Sequence, residues 1–94
     1  MKTEQEILDL NDPYLSYFYC INNLDTANIK AHERIIIDSK HPYYCYWFAL
    51  DIEHSNKQPL FEIILASGNL YFINFFYENV DFDKTKYENL MMFV

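Results

Sequence analysis

The chain has 94 residues, enough for one domain at most, and 51% of them are hydrophobic and 19% aromatic, which excludes an intrinsically disordered polymer. Fourteen Asp and Glu stand against seven Lys and Arg, a formal charge of −7. That balance argues against direct nucleic-acid binding and against an anionic membrane surface, since both draw on cationic side chains.

The opening Met-Lys-Thr-Glu-Gln-Glu is charged and lacks the apolar stretch of a signal peptide. No apolar run approaches the length of a bilayer. The expectation is a cytoplasmic protein, with Cys20 and Cys45 reduced, buried and inert.

An internal repeat organises the chain. An aromatic segment at residues 13–19 (Pro-Tyr-Leu-Ser-Tyr-Phe-Tyr) recurs at 42–48, 29 residues on, and again at 70–76. An aliphatic segment at 28–39 recurs at 56–67, 28 residues on, and more weakly at 87–92. One inserted residue near Asn22 and Asn23 reconciles the offsets. A leading half-copy at 4–9, Glu-Gln-Glu-Ile-Leu-Asp, resembles residues 33–38.

Taken alone, residues 60–77 read as a β-hairpin, two runs of strand formers around Ser67-Gly68-Asn69. The other copies point to helix. Lys30, Ala31, Glu33 and Arg34 are helix formers, and Tyr44, Trp47, Phe48 and Ile52 form a helical stripe that Phe72, Phe75, Phe76 and Val80 repeat. Cys45 and Ala49 sit one turn apart beside the first stripe, where another helix could approach closely. Pro13, Pro42 and Pro59 suit helix starts, and Gly68 suits a C-cap. Homologous units take one assignment. The expected fold is all-α: a short α-solenoid of about seven short helices, with a half-repeat at 1–12 and helical-pair repeats at 13–40, 41–67 and 68–94. The C-terminal Leu90-Met91-Met92-Phe93-Val94 has little polar cover. It either folds back on the core or docks on a partner or on a second copy, giving a homodimer through that end.

Residues 27–52, with their Ala27-Asn28, short aliphatic segment, Ser39-x-x-Pro42 turn and Tyr44-x-Tyr46-x-Phe48-Ala49, resemble a tandem helical repeat of about 28 residues. That repeat occurs in uncharacterised bacterial and bacteriophage proteins. The resemblance covers most of the chain, strongly in the middle and weakly after Asp81. His41 stands where the repeat usually has Asp, and Pro59, Phe61 and Tyr77 also depart from it. It implies helices, and it supplies no activity.

No catalytic or cofactor machinery assembles from the sequence. His32, His41 and His54 match no zinc spacing, the two cysteines form no CxxC, and one glycine makes no phosphate loop. Cys45 and His41 lie one helical turn apart, yet a thiol between tyrosines reads as buried structure. No cofactor and no enzymatic role are expected.

Two periodic surface features remain. Asp25, Glu53 and Asp81, spaced 28 apart, form an acidic ladder at the turns, joined by Asp51, Glu78 and Asp83. Tyr14, Tyr43 and Tyr71 form a tyrosine row, with Tyr17 and Tyr46 beside it. Either feature also has a plain structural reading, as solvated loop charge and as rings packed between units. The functional expectation is a non-enzymatic module that binds another protein with a basic groove, as an anti-CRISPR or similar anti-defence inhibitor of a nucleic-acid enzyme would. An immunity protein or antitoxin against a cationic toxin shares these electrostatics, and a passive scaffold repeat is a third reading.

Overall fold

A computed structural model describes residues 2–92, and among them the secondary structure is helical throughout. The elements are α1 (Glu4–Asp9), α2 (Pro13–Asn22), α3 (Ile29–Ser39), α4 (Pro42–Asp51), α5 (Lys57–Ser67), α6 (Leu70–Asn79), a 3-10 turn (Thr85–Tyr87) and α7 (Glu88–Met91). The helical expectation for residues 60–77 therefore holds, and the hairpin alternative falls.

Each start has a local cause. Thr3 and Glu6 form a capping box on α1. Asp12 accepts from the Tyr14 and Leu15 amides ahead of Pro13, the first residue of α2. Asn28 and Asn69 cap α3 and α6 through Ala31 N–H and Phe72 N–H. Pro42 opens α4, and Pro59 sits in the first turn of α5, where no intrahelical donor is needed.

The stops recur with the repeat. Lys40 after α3 and Gly68 after α5 both adopt the left-handed conformation, at φ 55° and 70°, as Asn11 does after α1 at φ 51°. Ser39 Oγ donates to Ile36 O and accepts from His41 N–H, and Ser67 does the same between Ile64 O and Asn69 N–H. So Ser67-Gly68-Asn69 joins the end of one helix to the start of the next.

The helices stack in two layers. α2, α4 and α6 form one layer and α1, α3 and α5 the other, and each of these packs only on the next helix and the next but one. That nearest-neighbour pattern gives an elongated body of 47 × 22 × 16 Å. The core runs between the layers through Ile36, Cys45, Phe48, Ala49, Ile52, Leu60, Phe61, Ile64 and Phe76. Cys45 is small where α3 comes close: its thiol reaches Ile36 O at 3.8 Å.

The C-terminal unit departs from the pattern. In place of a full last helix, Phe82 and Tyr87 close over Phe61, with ring centroids 5.1 and 4.8 Å away, and so seal that end of the core. Met91 packs partly buried against the core, and Met92 is exposed. Phe93 and Val94, which the docking or fold-back alternative also invoked, lie outside the described residues.

Candidate partner-binding surface

The acidic ladder divides when placed in space. Asp51, Glu53 and Asp81 come together around a groove of about 340 Å³ between the end of α4 and the segment after α6. Lys57 lies in the same groove, but its Nζ donates to Ile52 O at 2.7 Å, Glu53 O at 3.0 Å and the Ser55 hydroxyl at 2.6 Å. Its donors are thus spent on closing the α4–α5 turn. Burial lowers its pKa, opposed by the carboxylates of Glu33, Glu53 and Asp81. The three carboxylates keep their outer lone pairs for solvent or a partner.

The other ladder members stand apart. Asp25 is exposed in the α2–α3 turn and does not share this groove. Glu78 lies beside Tyr71 and Phe75 on the outer face of α6. Asp83 is exposed and accepts from Thr85 N–H at 3.1 Å, a bond that holds its carboxyl below the usual range. It therefore helps to shape the last turn.

The tyrosine row divides too. Tyr14 and Tyr43 are about half exposed, and Tyr71 is 77% exposed. Tyr17 is partly buried, and its hydroxyl donates to Asp51 at 2.6 Å. Burial first, and then that bond, hold the phenol well above its ordinary pKa, so it remains a donor. Tyr46 is a correction: it is only 8% exposed and packs among Trp47, Phe72, Phe75 and Phe76, so its ring belongs to the core. Tyr46 lies one turn from Tyr43, offset by about 60° around α4, which sets its ring deeper in the α4–α6 seam, where both tyrosines meet Phe72.

A second carboxylate series does the structural work. Glu4 Oε2 accepts from Asn28 N–H at 2.7 Å, Glu33 accepts from Asn56 N–H, and Glu62 accepts from the Tyr87 hydroxyl at 2.6 Å and Lys86 Nζ at 3.0 Å. These glutamates are spaced 29 apart. The first two place a carboxylate on the N-cap of the next helix in their layer, where the helix dipole favours negative charge. The Tyr87 hydroxyl, and then Lys86, hold the Glu62 carboxyl below its ordinary pKa.

Glu4 also anchors a buried polar chain. Its carboxylate is 2.9 Å from His32 Nε2, and His32 Nδ1 is 3.0 Å from Ser16 Oγ. A carboxylate only accepts, so Nε2 carries the hydrogen of the Glu4 bond, while the Ser16 hydroxyl can either donate to Nδ1 or accept from it. The order of groups is that of an activated serine. However, Ser16 and His32 are both fully buried, and Tyr19 stacks on the imidazole with centroids 5.1 Å apart, so no substrate reaches the hydroxyl. Their counterparts one unit on are Cys45 and Leu60. That paired polar departure was the sequence signal for this network.

Burial, with the nearby Glu4 and Glu33 carboxylates, pushes the Cys20 thiol up to about 12, and burial alone does the same for Cys45. Neither thiol is expected to react with Ellman's reagent in the native protein at pH 8, and both should react once denaturant is added. Fast labelling of the native chain would contradict the packing around α3 and α4. Among the described residues, no group of three or more His, Cys, Asp or Glu is placed to hold a metal ion, and no helix is long and apolar enough to cross a membrane. Comparison with protein-family models, with curated proteins and with solved structures finds no match.

Proposed function

We propose that the chain is a non-enzymatic binding module whose acidic and aromatic layer occupies a basic groove on another protein. The partner class we assign is a nucleic-acid enzyme, with an anti-CRISPR or similar anti-defence inhibitor as the specific form. One observation carries the reading: α2, α4 and α6, which form one layer, contain no lysine or arginine. Their exposed side chains include Tyr14, Phe18, Tyr43, Tyr71 and Phe75, with the carboxylates of Asp51 and Glu78 among them. Aromatic rings supply interface area at low entropic cost, and a face of single sign steers an oppositely charged partner. Resemblance to a bacteriophage repeat supports an anti-defence setting in the cytoplasm.

The test is recovery of the tagged chain from nuclease-treated lysate of its host cells across a salt series. A stoichiometric nucleic-acid enzyme, lost progressively as salt screens the contact, is the expected result. Recovery of the chain alone at every salt concentration would overturn the reading. A cationic toxin recovered in the enzyme's place would keep the electrostatics and replace the partner class.

A further inference from the structure

Between α2 and α4 the aromatic layer opens into a groove of about 490 Å³ lined by Tyr14, Tyr17, Phe18, Tyr43, Tyr44 and Trp47. Its rings are close-set: Tyr14 and Tyr44 lie 6.1 Å apart, Tyr43 and Trp47 5.8 Å, and Tyr43 and Tyr44 5.4 Å between centroids. A cation in such a groove lies close to several aromatic rings at once. The Tyr17 hydroxyl ties the groove to the Asp51 carboxylate at 2.6 Å. Neither α2 nor α4 carries a lysine or arginine, and Lys40, beside the start of α4, lines a different cleft with Glu62 and Ser67.

We propose that this groove receives an arginine side chain of the basic partner, an assignment that rests on the reading above. The groove and its surroundings are aromatic and negative, so a cation complements them. A guanidinium fits better than an ammonium because it is planar, more weakly hydrated and stacks on aromatic rings. The planar imidazole of His41 already makes such a contact, its centroid 4.9 Å from that of Tyr44. The Asp51 carboxylate, held by the Tyr17 hydroxyl at the edge of the groove, adds negative charge beside it. Trp47 Nε1 is buried without a hydrogen-bond partner.

Trp47 is the single tryptophan, so its fluorescence reports occupancy directly. The purified chain would be titrated with a penta-arginine peptide, with penta-lysine as the control of equal charge. The expected result is a saturable Trp47 response to penta-arginine, with penta-lysine binding about tenfold more weakly. Tyr43→Leu keeps an apolar side chain but removes the ring, and is expected to weaken binding by about the same factor. Tyr71→Leu, on the outer face of α6, is expected to leave it unchanged. Circular dichroism checks that each variant folds. No saturable response, equal affinity for the two peptides, or an unchanged Tyr43→Leu variant would overturn the proposal. The assay needs no natural partner. A peptide response without a recoverable partner fails the functional reading alone, and partner capture without a peptide response fails this inference alone.

Discussion

Phe61→Ala is expected to cost about 3–5 kcal/mol, a large share of the stability of a small domain. Phe61 is fully buried, and its ring lies 5.0 Å from Phe76, 5.1 Å from Phe82 and 4.8 Å from Tyr87 between centroids. Removing it opens a cavity beneath the residues that seal the C-terminal end. The surrounding rings belong to different elements and cannot all collapse into the space. Phe18→Ala, at a half-exposed ring on α2, should cost about 1 kcal/mol or less. Urea denaturation followed by circular dichroism separates the two. Similar losses for both would contradict the sealed end.

His32→Leu should cost about 1–3 kcal/mol, because it leaves the buried Ser16 hydroxyl without a partner. The double variant Ser16→Cys/His32→Leu should recover most of that loss, since it installs the pair that the next unit holds at Cys45 and Leu60, both fully buried. Glu4 then keeps its bond to Asn28 N–H. A double-mutant cycle by denaturation measures the coupling. Strictly additive losses would show that the first unit cannot accept the apolar pair and that the two units are not equivalent in packing.

The fold was legible in the sequence because the repeat let clear segments decide unclear ones. Residues 60–77 favour strand by composition, but they share a register with residues 29–52, whose charges and stripe are helical. The surface was less legible. Asp25, Glu53 and Asp81 are as periodic as Glu4, Glu33 and Glu62, and periodicity does not say which series turns inward. The answer depends on α1, α3 and α5 lying side by side, so that a glutamate on one meets the N-cap of the next. Tyr46 was misplaced for a related reason. It lies beside the exposed tyrosines in sequence, but its ring packs into the seam with α6. The buried Ser16–His32–Glu4 chain joins three helices, and only its departure from the repeat at two positions marked it.

The most direct test of the proposed function is the affinity of the recovered partner for Glu53→Lys/Asp81→Lys. Both residues are exposed and line the groove with Asp51, so reversing them changes the field of the surface while the core stays untouched. The prediction is loss of binding by roughly a hundredfold or more at low salt, with the helical signal and melting temperature near those of the parent chain. Unchanged affinity in the folded double variant would contradict it and leave these carboxylates as solvated turn residues.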